Sequence, residues 1–221
     1  MTTNTSPKFD PTRCFGTGSN TYEAYHDDEW GVPVHDDRHL FELLILEGTQ
    51  AGLSWKTILK RRKAYRLAFD NFSVQIVASY GQKEITTLLE NKGIIRNKLK
   101  IHAAINNAKV VLRIQKEFGS LDKHLWGFVG GAPLQRNRFS PSDVPTESTE
   151  SARMSKDLKR RGMSFVGPTI MYAFMQSTGM VNDHYVSCFR LNEVKKLSEN
   201  SLLSAQICLS FLHYGAPITH V

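Results

Sequence analysis

Apolar residues recur along this chain at helical spacing, and no series of alternating apolar and polar positions accompanies them. The run His39 to Leu46 places Leu40, Leu43 and Leu44 on one face and leads into Glu47-Gly48. Ser54 stands where it can cap a helix from Trp55 through Ala68, with Ile58, Leu59 and Tyr65 inward and Lys56, Lys60, Arg61, Arg62 and Lys63 largely outward. A short helix is expected over Glu84 to Asn91. Between Lys98 and Lys116, Ile101, Ile105, Ala108 and Leu112 form an apolar stripe. Gly130 to Pro145 is rich in Gly, Pro, Ser and Asn and reads as a long loop. A helix through Met154, Leu158 and Lys159 should stop at Gly162, which suits a left-handed C-terminal position. Pro168 then opens a helix reaching Thr178 and ended by Gly179. The expected fold class is all-α.

Composition narrows the setting. The 221 residues suit one compact domain or two lobes sharing a core. A net charge of +7 favours a polyanionic partner. No apolar run approaches the ~20 residues needed to span a bilayer, so no membrane association is expected. Residues 1-13, without an apolar signal core, read as a mobile polar leader. Residues 14-190 are expected to form the domain, and 191-221 a C-terminal extension containing one amphipathic helix. Three cysteines point to a reducing, cytoplasmic setting rather than a disulfide scaffold, with Cys208 as a small buried hydrophobe.

Two pairs of candidate metal ligands stand far apart: Cys14 with His26, and His184 with Cys188. Thiolate and imidazole suit zinc, and four such ligands make a closed structural site. The His-x3-Cys pair shares one face if its segment is helical. Cys and His are also common buried residues, and that bland reading stands beside the metal.

The stretch Leu88 to Lys98, LLENKGIIRNK, reads as a helix end, a glycine turn and a new helix. Gly93 can supply a positive φ for the turn. The new helix offers unpaired N–H groups and the positive end of its dipole to a phosphate, with Lys92, Arg96, Lys98 and Lys100 adding charge. Ile94 and Ile95 should pack the two helices together. An ordinary helical corner with solvated cations has the same pattern.

Taken together, AYHDDEWGVP around His26, LEGTQAGLSW from Leu46 to Trp55, KGIIRNKLK from Lys92 to Lys100, LKRRGMSFVGPTIMYAFMQ from Leu158 to Gln176 and VNDHYVSC around His184 resemble the 3-methyladenine DNA glycosylase I family. The resemblance runs from about Cys14 to about Cys188. It implies a helix-hairpin-helix DNA glycosylase fold, the hairpin lying near 84-116, with a structural zinc ion on Cys14, His26, His184 and Cys188. It also implies a monofunctional base-excision repair enzyme, with no organic cofactor, that flips 3-methyladenine from double-stranded DNA and hydrolyses its N-glycosidic bond.

That resemblance assigns Glu47 as the catalytic base reader, Trp55 as a stacking wall, Tyr25 as a second polar contact and Tyr22 as a further aromatic near the pocket. Gln50 orients Glu47 or touches the base. Chemistry agrees: a buried carboxylate is a pure acceptor that offsets a positive ring, and 3-methyladenine combines an exocyclic amine with a cationic purine. Leu53, on a Gly-Leu-Ser turn, is a candidate wedge. Gly93, Ile95, Arg96 and Lys98 are the expected duplex contacts. Asn182-Asp183 is expected to cap or orient the ligand helix. One departure concerns the second position after Cys14, a tryptophan in some family members and Gly16 here: either Phe15 substitutes from the neighbouring position or the pocket is more open. The expected state is a monomer. The alternatives are a non-catalytic binder of damaged DNA and a glycosylase for other alkylated purines.

Overall fold

A computed structural model describes residues 13–197 and 199. The leader up to residue 12, Cys208 and most of the C-terminal extension lie outside the described residues. The chain is mostly helical. In order come α1 (Asn20–Ala24), which continues as a π-turn over Tyr25–Glu29, α2 (Asp37–Gln50), α3 (Trp55–Ala68), α4 (Val74–Ala78) and α5 (Gln82–Glu90). Then follow α6 (Lys98–Phe118), α7 (Leu121–Trp126), α8 (Thr149–Arg160) and α9 (Pro168–Ser177). Residues 190–197 are helical again. The all-α expectation misses one small feature. Leu134–Gln135 and Val181–Asn182 form a two-residue parallel pair, β1 and β2, which closes the long loop against the segment after α9.

Local chemistry sets the helix ends. Asp36, Ser54, Asn97, Ser120 and Ser148 accept from backbone amides of the first turns they precede. Gly162 and Gly179 take positive φ after α8 and α9, as their positions foretold.

α2 lies at the centre, against α3, α6, α7 and α9. Every residue from Leu40 to Thr49 is buried, so the single apolar face expected of it is in fact apolar surroundings on all sides. Two carboxylates are caught there. Glu42 is fully buried and receives Arg62 Nε at 2.8 Å and Arg66 Nε at 2.9 Å. Arg62 also pairs with Glu29 of the π-turn. The outward placement expected of Arg62 is therefore corrected: it is 8% exposed and ties α3 to α2 and to the N-terminal segment.

Two further expectations change. Gly93 does not adopt a positive φ; a Cβ there would approach Ala64 Cβ to 2.9 Å, so glycine serves close packing of the hairpin on α3. Residues 184–188 form a turn, not a helix, so Asn182-Asp183 caps no helix there. Among the described residues no helix is long and apolar enough to cross a membrane.

Removing one partner of a buried pair leaves an uncompensated charge, which costs roughly 3–5 kcal/mol. Glu42→Ala should therefore lower the unfolding free energy by about 3 kcal/mol, near the lower limit because Arg62 keeps Glu29. Arg66→Ala, on the half-exposed side, should cost at most about 1 kcal/mol by urea denaturation; equal losses for both variants would contradict this ranking.

Candidate functional site

The π-turn brings two neighbours to different tasks. Its bond from Trp30 N–H to Tyr25 O inserts one extra residue, and π-turns of this kind cluster at functional positions. Tyr25 faces a cavity of about 260 Å³, while His26 turns to the cluster behind it. The cavity is lined by Phe15, Tyr22, Tyr25, Trp30 and Trp55, by Glu47 and Gln50 from α2, by Ala173 and Gln176 from α9, and by Cys14, Pro141, Val144 and Tyr185. All five base-contacting residues expected from the sequence thus meet in one place. Trp30, Gln176, Tyr185 and the loop residues Pro141 and Val144 were not foreseen. Trp30 lay within a quoted motif, whereas the loop residues carried no local signal.

Glu47 is 4% exposed, and burial pushes its pKa up to about 8, with the Ser177 hydroxyl acting in the opposite sense. No basic side chain contributes to this shift. Burial and then the Glu47 charge also raise Tyr25 and Tyr22. The Trp55 ring lies 5.5 Å from that of Tyr25, and its buried indole N–H has no acceptor among the described residues. Phe15 packs 4.8 Å from Tyr22 and 4.9 Å from Trp30, closing the wall beside Gly16. Gly16 itself has φ +102°, and a Cβ would sit 2.9 Å from Tyr22 O, so a larger residue cannot occupy this backbone path.

Behind the aromatic wall, Cys14, His26, His184 and Cys188 place their ligand atoms within 4.8 Å of one another, an arrangement that could hold a metal ion. His26 Nδ1 contacts Asp27 Oδ1 at 2.7 Å, and Arg13 holds Asp27 in turn. His184 Nε2 lies 3.1 Å from Trp30 O. These outer bonds leave His26 Nε2 and His184 Nδ1 facing the sulfurs. Hydrogen bonding to Cys188 and burial push the Cys14 thiol up. The same bond, aided by both histidines, pulls Cys188 far down towards thiolate. Asp183 acts elsewhere: its carboxylate receives Arg138, Tyr172 and Gln176, clamping the 138–144 loop beside the cavity.

The duplex-facing candidates Leu53, Arg96 and Lys98 are all exposed. Leu53 is 39% exposed and lines a second cavity of about 190 Å³, which shares Glu47, Gln50 and Ala173 with the first. Arg96 and Lys98 are exposed in the hairpin between α5 and α6. The Gly93 amide is already used by Asn91 Oδ1, and that of Ile95 by the Tyr65 hydroxyl. In the first turn of α6, the amides of Lys98 and Leu99 have no acceptor among the described residues and remain for an outside one.

Comparison with known proteins places this arrangement. The methyladenine glycosylase family model matches residues 15–191. DNA-3-methyladenine glycosylase 1 of Escherichia coli is 45% identical over 167 residues, 76% of this chain and 89% of that protein. A crystal structure of 3-methyladenine DNA glycosylase I superposes with a TM-score of 0.78 at 45% identity, covering 80% of this chain and 98% of the other. A structure addressing 3-methyladenine recognition by the Staphylococcus aureus enzyme gives a TM-score of 0.78 at 37% identity, covering 80% and 95%.

Glu47 also marks the stability profile. Its folded pKa of about 8 exceeds the 4.5 of a free glutamate, so the folded state binds the extra proton between those values. Wild type should lose stability relative to Glu47→Gln as pH rises from 5 to 8, by up to about 4 kcal/mol over those three units at ~1.36 kcal/mol per unit. Melting curves of the two proteins running parallel across that range would disprove the shift.

Proposed function

Because the chain belongs to the methyladenine glycosylase family, we propose that it is a base-excision repair enzyme that hydrolyses the N-glycosidic bond of 3-methyladenine in alkylated DNA. The observation that carries this reading is a buried carboxylate, Glu47, without a cationic neighbour among the described residues, in the wall of an aromatic cavity. A cationic purine with an exocyclic amine supplies what that carboxylate lacks.

The duplex cannot deliver a base into such a cavity without extruding the nucleotide, at a cost of a few kcal/mol. Leu53 enters the gap left in the stack, while the first turn of α6, Arg96 and Lys98 hold the phosphate backbone without reading sequence. Gly93 and Ile95 shape the hairpin that presents them. Once inside, the base stacks on Trp55, worth roughly 1–3 kcal/mol, and gains further from the π face because it is charged. Glu47 accepts from the exocyclic amine, Gln50 borders the same edge, and Tyr25 and Tyr22 complete the wall. Methylation has already made the base a good leaving group, so departure needs little protonation. Bound as a cation beside a carboxylate, the base is held while the bond to the sugar breaks and water completes the hydrolysis. No lysine lines the cavity among the described residues, so no Schiff base forms there and the abasic strand is left uncut.

We read Cys14, His26, His184 and Cys188 as a structural zinc centre. A tetrahedral zinc with Zn–S of about 2.3 Å and Zn–N of about 2.0–2.1 Å has S···N edges of about 3.6 Å. Three of the four S···N pairs are separated by 3.6, 3.5 and 3.5 Å, in keeping with such edges, and all four ligand atoms lie within 4.8 Å of one another. With four protein ligands, a zinc ion held by Cys14, His26, His184 and Cys188 would supply cross-linking and no activated water. Phe15, Tyr22 and Tyr25 lie between the first two ligands, so the cross-link holds the cavity wall. We further read residues 14-190 as one glycosylase domain, acting as a monomer on double-stranded DNA, with 191-221 appended.

Single-turnover release of 3-methyladenine from methylated DNA tests the function. Wild type should release it, and Glu47→Ala should be slower by at least about a hundredfold, the scale of one lost electrostatic contact in a dry site. Absence of release by folded wild type that binds DNA would favour a damaged-DNA binder. For the metal, elemental analysis should give one zinc per chain, and Cys188→Ser should lower both zinc content and melting temperature. A zinc-free preparation with an unchanged melting temperature and rate would refute the structural role.

A further inference from the structure

Lys100 is the third residue of α6, and its backbone amide is bound by the cap residue Asn97. Its side chain leaves the hairpin and reaches the end of α2. There Nζ donates to Thr49 O at 2.7 Å and to Ala51 O at 2.7 Å. These are orphan carbonyls at a helix C-terminus, where a cation also meets the negative end of the dipole. The same ammonium lies 6.0 Å from the centre of the Phe165 ring. Phe165 has φ +58°, a left-handed conformation uncommon for an aromatic residue. Its backbone and Cβ sit so close to Gly48 that a Cβ on Gly48 would fall 3.0 Å from Phe165 O. Asn107 of α6 exchanges two bonds with the Ser164 backbone and fixes the same segment. Three elements therefore meet at one ammonium: the start of α6, the end of α2 and the strained lead into α9.

What lies on either side of this junction gives it meaning. Two and one residues before Lys100 are Lys98 and Leu99, whose amides would meet a phosphate on the proposed reading. Two residues before Thr49 is Glu47, and two residues after Ala51 is Leu53. Among the described residues, the turn beyond Thr49 is otherwise held by the bond from Leu53 N to Gln50 O and the Ser54 cap, while the Thr49 hydroxyl binds back to Ile45 O.

We propose that Lys100 is a positioning residue that couples the phosphate-gripping hairpin to the wedge turn, so that duplex engagement and base extrusion act in register. This rests on the glycosylase reading above. Lys100 touches neither the reacting atoms nor the base. Its loss leaves the hairpin and the cavity chemically intact and frees the 49–53 turn to move relative to the DNA backbone.

The test compares a methylated adenine-rich strand annealed to its complement with the same strand annealed to a mismatched partner, in which extrusion is cheap. Lys100→Met should slow single-turnover release of 3-methyladenine from the matched duplex by about ten- to a hundredfold, the scale expected for a small misplacement. Release from the mismatched duplex should fall much less, and Lys100→Arg should recover part of the matched rate. Binding of free 3-methyladenine, followed by tryptophan fluorescence, should be unchanged and certifies the fold. Equal slowing on both duplexes, a wild-type rate on both, or loss of free-base binding would each overturn the proposal. No release by wild type from either duplex would instead overturn the glycosylase reading, and this role with it.

Discussion

A helix buried on every side has no tolerance for a charge that its neighbours do not answer. α2 carries two carboxylates, Glu42 and Glu47, both in the buried stretch. The protein answers the first with Arg62 and Arg66 and then ties Arg62 onward to Glu29. Among the described residues, none answers the second with a cation. The contrast within one helix separates a carboxylate answered by cations from one that is not more sharply than either residue does alone. Glu42 fixes α2, α3 and the π-turn in place. Glu47 is consequently held where it cannot relax away from its unfavourable setting, and its raised pKa measures that constraint.

The rest of the cavity is assembled by clamps that reach across the sequence. Cys14 and His26 bracket the aromatic segment, and His184 and Cys188 meet them from the far end of the domain. Beside that cluster, Asp183 gathers Arg138, Tyr172 and Gln176, so the loop bearing Pro141 and Val144 is held against the same wall. β1 and β2 add a short backbone seam along this line. Helices α2, α3 and α9 supply one part of the wall, and Phe15, Trp30, Pro141, Val144 and Tyr185 supply the other from loops and turns that are anchored near a buried polar cluster. That is how irregular backbone can present a defined surface.

Much of this was legible in local patterns. Ser54 followed by apolar positions at helical spacing gave α3 at both ends, and Gly162, Pro168 and Gly179 marked the later helix boundaries. The four metal-ligand candidates and the five base-contacting residues also converge as expected. What failed was information that resides in the partner, not in the residue. Arg62 sits in a run of cations that looks solvated, and only Glu42, twenty positions earlier, explains its burial. Gly93 looked like a conformational requirement because glycine has two reasons to be used, and the second, approach of Ala64, is tertiary. The His-x3-Cys spacing fits a helix, but it fits a turn equally well once Asn182 and Cys14 hold the backbone at His184 and Tyr185.

Selection by such a cavity depends on charge before shape. With its pKa at about 8, Glu47 is mostly protonated in the empty site at neutral pH. A cationic base that displaces that proton must first supply about 1.4 kcal/mol at pH 7, one unit below the pKa. It recovers this through direct attraction in a dry, low-dielectric site, where a single ion contact is worth far more than in water. Unmodified adenine, having no charge, gains nothing from ionising Glu47 and meets either a neutral acid or an unanswered carboxylate. A methyl group alone offers a pocket only about 1–3 kcal/mol of discrimination. The positive charge that methylation places on the ring therefore does most of the selecting, and an enzyme that exploits it needs no pocket moulded closely around the methyl. On the proposed reading, the burial that makes Glu47 costly to ionise would be the source of a preference for a cationic, damaged base over the normal bases around it.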